Sequence, residues 1–332
     1  MMYDQAHLDN LHDHVQALLP QWGLTPAARL SLLTISENAT YLAQEDGRRW
    51  IIRVHRPNYH SEAEIRSELA WIHALLQDGT VQTPRPVPTV TGAPMLTFAD
   101  RTGARQAVAF DYMPGREPDV TTDLPFWFRH LGGITARLHR HAQSWSYPAD
   151  FTRKRWSFDT ILGDRAYWGD WRQASGLDPA GRAVLERTAT RLAAETVAYG
   201  QTPDRFGLVH CDLRAANLLV EGDRMVVIDF DDCGLSWFAY DFAASVSFIE
   251  HDPILPTLME AWLAGYRTVA PFPEAQAKAL PIFVMLRRLQ LTAWIASHAE
   301  TPTAKSMGSA YTQGTVALAE AYLSTPVQEH QT

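Results

Sequence analysis

The chain has 332 residues and 46% hydrophobic content, enough for a large core and, by length, about two domains. Its 29 basic and 37 acidic residues leave a formal charge of −8, which argues against a general nucleic-acid or membrane-surface binder, since both usually carry a basic excess. No run approaches 18 apolar residues, the start MMYDQAHLDN lacks a signal-peptide pattern, and Cys211 and Cys233 make no disulfide framework, so the expected setting is cytoplasmic, reducing and free of membrane.

The first elements in chain order are a short helix over Leu8–Leu19 and three strands within LSLLTISENATYLAQEDGRRWIIRVHRP, where Tyr41–Gln44 and Trp50–Val54 flank the turn signal EDGRR. Ile65, Leu69, Ile72 and Leu76 have helical spacing and predict a helix over Ser61–Leu76, with Ser61 as N-cap and Glu64 as its capping-box partner. Pro84, Pro86 and Pro88 make an extended connector that cannot donate ladder hydrogen bonds. PMLTFADRTGARQAVAFDYM reads as a hairpin around DRTG. PGREPD then breaks the pattern near Gly115, which places the boundary between residues 1–113 and 114–332. The remainder is mostly helical, over Phe126–Ala142, Ala180–Tyr199, Ile254–Thr268, Ala279–His298 and Gly308–Leu323.

One stretch stands apart, GLVHCDLRAANLLVEGDRMVVIDFDDCG, from Gly207 to Gly234. Gly207–Val209 reads as a strand, and Leu218–Val220 with Met225–Ile228 as a hairpin across EGDR. That hairpin would bring Asn217 and Asp229 together at its open end, with Asp212 on the loop that feeds it. A convergent Asn and Asp suit a hard cation such as Mg²⁺, which takes oxygen ligands and is completed by phosphate oxygens. An Asp outside the metal shell can orient a hydroxyl and accept its proton, and Arg214 is placed to reach a γ-phosphate.

The pattern HCDLRAAN, a His–x–Asp with an Asn five residues past the Asp, resembles the kinase catalytic loop, and DFD stands where kinases carry DFG. With VIDFDDCG and WFAYDFA it resembles the aminoglycoside phosphotransferase and choline kinase superfamily. Within that group RVHRPNYHSEAEIRSELAWIHAL and TARLHRHA look most like type II homoserine kinases and the bacterial stress-response Ser/Thr kinases. The resemblance implies an α+β, protein-kinase-like bilobal fold: an antiparallel N-lobe sheet with one helix, a mostly helical C-lobe and an active site in the cleft. It also implies that ATP and Mg²⁺ are used. Asp212 resembles the catalytic base, Asn217 and Asp229 the metal ligands, and His210 and Asp241 the structural support of the catalytic loop.

Arg53 stands where such kinases place a phosphate-binding Lys, and strand alternation sets it on the face opposite Ile52 and Val54. Its expected ion-pair partner is Glu68, with Glu64 as the alternative. SENATY occupies the phosphate-covering turn without a glycine; Ser36, Asn38 and Thr40 are its candidate phosphate contacts, or else an ordinary β-turn. Asp231, in place of a kinase Gly, either adds a metal or substrate contact or faces solvent. The aromatic segment with Trp156, Phe158, Tyr167, Trp168 and Trp171 is either a wall for a cationic amine or a hydrophobic cluster. Arg287 and Arg288 bind an acceptor anion or form surface salt bridges. P-loop, GxGxxG, HExxH, GxSxG and CxxC motifs are absent. The leading expectation is phosphoryl transfer to a small-molecule hydroxyl, of an amino alcohol or a hydroxy amino acid. The alternatives are a Ser/Thr protein kinase and a non-catalytic nucleotide-binding regulator.

Overall fold

The computed structural model describes residues 5–35, 38–101, 103–118 and 123–326. In chain order, α1 (Gln5–Leu18) precedes β1 (Arg29–Ile35), β2 (Ala39–Glu45), β3 (Arg48–Val54), α2 (Glu62–Gln77), β4 (Pro86–Val87), β5 (Leu96–Asp100) and β6 (Gly103–Asp111). There follow α3 (Leu124–Ser144), α4 (Phe158–Ile161), α5 (Pro179–Tyr199), β7 (Phe206–Val209), β8 (Leu218–Glu221), β9 (Arg224–Val227) and β10 (Gly234–Trp237). The chain continues through α6 (Phe238–Ser245), α7 (Leu255–Tyr266), α8 (Glu274–Lys278), α9 (Leu280–Ser297) and α10 (Pro302–Ser324). It divides into two compact units: Met1–Arg116 with Ser146–Arg153 and Leu219–Asp231, and Glu117–Trp145 with Lys154–Leu218 and Asp232–Thr332.

The first unit is built on an antiparallel sheet in the order β1-β2-β3-β6-β4, with β5 also paired to β6. Asp46 and Gly47 both take positive φ (48° and 79°), so the β2–β3 hairpin closes on the two-residue loop that Asp-Gly favours. Period-two alternation sends Ile52 and Val54 of β3 into a core shared with Tyr41 of β2 and with Leu11 and Val15 of α1. The reciprocal Ser61–Glu64 capping box starts α2, which buries Ile65, Leu69, Ile72 and Leu75. The proline connector does join the ladder: Pro86 and Val87 pair with Phe110 and Ala109 at the sheet's edge, where a residue without an N–H is tolerated. β8 and β9 form the expected hairpin.

The second unit is mostly helical. α3 lies against α7 at two glycines: a Cβ on Gly132 would fall 2.0 Å from the Trp262 carbonyl oxygen, and one on Gly265 1.8 Å from that of Arg129. Only glycine permits this approach. β10, which the sequence pattern did not suggest, pairs antiparallel with β7 from Gly234–Val209 to Trp237–Phe206. The apolar content around α9 exceeds the expectation. The span Glu274–Ser297 is long and apolar enough to cross a membrane by length and composition, but 89% of that window is buried inside the protein. The charged residues of α9 itself, Arg287 and Arg288, are each only 2% exposed.

Candidate active site

In the second unit, β7 feeds the loop that carries His210, Cys211 and Asp212. Cys211 holds a left-handed backbone (φ 67°), costly for a residue with a side chain and kept only where the surroundings impose it. Here Asp241, fully buried on α6, imposes it. Its carboxylate accepts from the backbone N–H of Cys211 (2.7 Å) and His210 (3.3 Å). The same carboxylate lies 3.0 Å from His139 Nε2, and His139 Nδ1 lies 3.0 Å from the Tyr266 hydroxyl. His210 lends its Nδ1 as acceptor to the Asp212 N–H (3.3 Å).

The Asp212 side chain is 15% exposed, and both of its oxygens are engaged. Oδ1 accepts from Arg287 Nη2 at 2.6 Å. Oδ2 accepts from Asn217 Nδ2 at 2.7 Å and from Arg214 Nε at 3.2 Å. Burial alone would push this carboxyl up; Arg214 and Arg287 instead hold it below the usual carboxylate range. Asn217 sits on the short 3₁₀ turn Ala215–Asn217, and its amide also donates to the Asp212 carbonyl (2.8 Å).

In the first unit, Arg53 is 5% exposed and meets three carboxylates. Nη2 donates to both oxygens of Glu68 (2.6 and 2.8 Å), Nη1 lies 3.3 Å from Asp229 Oδ1 and 3.8 Å from Asp231 Oδ1, and Phe110 faces the guanidinium at 5.1 Å. Burial opposes its charge, but Glu68, Asp231 and Asp229 more than restore it, so its pKa is raised. Glu68 is therefore the partner, and Glu64 the cap. Asp229 also has positive φ (62°), and its side chain is 47% exposed. Phe230 anchors it by packing edge-on to Trp71 of α2, ring centroids 5.4 Å apart.

Several expected contacts prove to be internal. Asp231 does not face solvent. It is 5% exposed, accepts from Asn38 Nδ2 (2.9 Å) and lies within 3.3–3.4 Å of His55 Nδ1 and His60 Nε2. Burial works against its charge, but His60 and Arg53 hold its carboxyl well below the usual range. Asn38 Oδ1 accepts from the Arg56 N–H (3.0 Å), so both ends of that amide pin the turn. Thr40 is half-buried and stands opposite Arg53 in the β2–β3 register; Ser36 lies outside the described residues. Trp156 is 1% exposed, with Nε1 donating to the Asp232 carbonyl (2.9 Å), and packs edge-on to Trp168. Arg287 and Arg288 are not surface residues: the first is bound to Asp212, the second to Glu250 at 2.8 Å. Reading the sequence missed His139, His55 and His60 as carboxylate partners. It named Arg287 and Arg288 but not their burial, which could have been inferred because a cation inside an apolar helix demands an internal partner.

An antiparallel sheet unit with a buried Arg–Glu pair, a helical unit, and a His–x–Asp loop braced by a buried Asp define a phosphotransferase with a protein-kinase-like fold. The model of the phosphotransferase enzyme family (APH) matches residues 33–273, and the chain belongs to that family. It is a phosphotransferase acting on a hydroxyl group. A solved microcompartment-associated aminopropanol kinase is 44% identical, with a TM-score of 0.87 over 94% of this chain and 97% of that one. The amicoumacin kinase of Bacillus subtilis is 23% identical over 273 residues, covering 79% of this chain and 78% of its own. An amicoumacin kinase solved with AMP-PNP, Ca²⁺ and Ami shares the fold, with a TM-score of 0.77 at 21% identity over 99% of this chain and 96% of that one.

Proposed function

We propose that the chain transfers the γ-phosphate of ATP to the hydroxyl of a small amino alcohol, with residues 1–113 serving the nucleotide and 114–332 serving catalysis and the acceptor. The observation that carries the reading is the Asp212 carboxylate, kept ionised by two arginines yet still 15% exposed beside Asn217. Asp212 orients the acceptor hydroxyl and takes its proton as the bond to phosphorus forms. Arg214, with a side chain 40% exposed, has donors to spare for the transferring phosphate. Arg53, keyed by Glu68, supplies positive charge at the nucleotide phosphates and steadies Asp229; Ser36 and Thr40 are assigned as further phosphate contacts.

Asn217 and Asp229 would hold the divalent cation, Mg²⁺ in our reading. Among the described residues no three His, Cys, Asp or Glu side chains gather to hold a metal unaided. A site completed by phosphate oxygens does not need them, and the side chains fit it. Asn217 spends its Nδ2 on Asp212, which leaves the amide oxygen as the donor, and the Asp229 carboxylate is half-exposed. When bound, the cation neutralises phosphate charge.

The acceptor class rests on two supports. The 44% identical neighbour is an aminopropanol kinase. Arg287 and Arg288, the cations of α9, are both committed to internal carboxylates, so neither is left for an acceptor carboxylate such as that of homoserine. The test is ADP release from Mg·ATP over a panel of aminopropanol, ethanolamine, homoserine, aminoglycosides and a generic Ser/Thr protein. Turnover confined to amino alcohols is expected. Turnover of the protein alone would reverse the reading in favour of a protein kinase, and tight Mg·ATP binding without any turnover would favour a regulator.

A further inference from the structure

We propose that Arg287 is the positioning residue for Asp212, and that the aromatic segment around Trp168 exists to hold Arg287 rather than an acceptor. The inference rests on the base role of Asp212 assigned above. Arg287 projects from a helix that is otherwise almost wholly apolar, where an unpaired cation is strongly disfavoured. Each guanidinium nitrogen has a defined partner. Nη2 donates to Asp212 Oδ1 (2.6 Å), Nε to the Ser247 hydroxyl (3.0 Å), and Nη1 to the Tyr240 hydroxyl (3.2 Å) and the Cys211 carbonyl (3.4 Å).

Two features go beyond a charge pair that only completes a core. First, Arg287 takes one carboxylate oxygen while Asn217 and Arg214 take the other, so the plane of the carboxylate is set from both sides. Through the Cys211 carbonyl, Arg287 also grips the residue whose left-handed backbone aims Asp212. Second, Trp168 lies against the guanidinium at 4.9 Å and is itself registered on α9. Its carbonyl accepts from the Ser297 hydroxyl (2.7 Å), and a Cβ on the following Gly169 (φ +95°) would stand 3.0 Å from Ser297 Cβ. Trp156 braces Trp168 edge-on at 5.5 Å. The fork geometry is specific to arginine; a lysine keeps the charge but not the parallel reach to Asp212, Tyr240 and Ser247.

The test is a double-mutant cycle. Arg287→Lys and Arg287→Met are each made in the wild-type and the Asp212→Asn backgrounds. kcat, the nucleotide KM and the melting temperature are measured with aminopropanol, and acceptor-free ATP hydrolysis is followed in parallel. Arg287→Met leaves the Asp212 carboxylate with Arg214 as its one arginine partner and is expected to melt lower; Arg287→Lys keeps the charge and the fold. In the wild-type background Arg287→Lys should lower kcat by about 10²-fold, the scale of a misplaced catalytic group, with the nucleotide KM within about twofold. In the Asp212→Asn background the same change should alter the residual rate by less than about threefold, because the group it positions can no longer act. An equal loss in both backgrounds, or a nucleotide KM that rises as far as kcat falls, would overturn the positioning role. If aminopropanol is not turned over by the wild type, the amino-alcohol reading fails instead, and ATP hydrolysis still reads the Arg287–Asp212 coupling.

Discussion

Replacing Asp231 with asparagine keeps the shape of the side chain and removes one buried negative charge. That charge faces Asn38, His55, His60 and Arg53, all within 3.8 Å. Breaking a buried, hydrogen-bonded charge network costs about 3–5 kcal/mol. The lower end applies here. Arg53 keeps its 2.6 Å bond to Glu68, and the Asn38 contact is one an amide can retain. A loss of about 3 kcal/mol, at roughly 2–4 °C per kcal/mol, lowers the melting temperature by about 6–12 °C. Calorimetry or thermal circular dichroism reads this directly. Nucleotide affinity should weaken as well, since Asn38 and Arg53 lose a common anchor. A melting temperature within about 2 °C of wild type would refute the view that Asp231 is a structural anion.

Other predictions follow from the same contacts. Gly265→Ala drives a Cβ to 1.8 Å from the Arg129 carbonyl oxygen and should cost about 3 kcal/mol or more, read as a lower urea midpoint at unchanged slope. Asp212→Asn should lower kcat by about 10²-fold or more while isothermal titration shows the Mg·ATP affinity retained; near-normal turnover would remove Asp212 from the mechanism. Asp229→Ala should make nucleotide binding independent of Mg²⁺, and an unchanged Mg·ATP affinity would reject its role as a ligand. Cys211 and Cys233 are buried, and burial pushes the Cys211 thiol up, so a thiol-titrating reagent should modify neither in the native protein and both in denaturant; fast native labelling would contradict their burial.

Local signals carried much of the architecture. The Asp-Gly turn, the Ser61–Glu64 box and the helical spacing of α2 are decided within a few residues, and sequence reading found each. The β7–β10 ladder escaped because its partners lie 25 to 31 residues apart and neither strand shows alternation long enough to declare itself. At the site, the loop motif announced Asp212 and Asn217, and strand alternation placed Arg53 opposite the core. The burial of Asp231 and the particular partner of Arg287 were not legible, because they depend on groups brought by other elements: His55 and His60 for the one, the loop carrying Asp212 for the other. The apolar run of α9 was the missed clue, since two arginines in such a helix require buried anions.

The central claim is that this chain phosphorylates a small amino alcohol through Asp212. The most direct test is phosphorus NMR of a reaction containing Mg·ATP and aminopropanol, with Asp212→Asn as the blank and homoserine as the competing acceptor. The proposal predicts a phosphate monoester of aminopropanol with the wild type, none above background with the variant, and little or none from homoserine. Homoserine phosphate as the dominant product, or equal ester formation by the Asp212 variant, would contradict it.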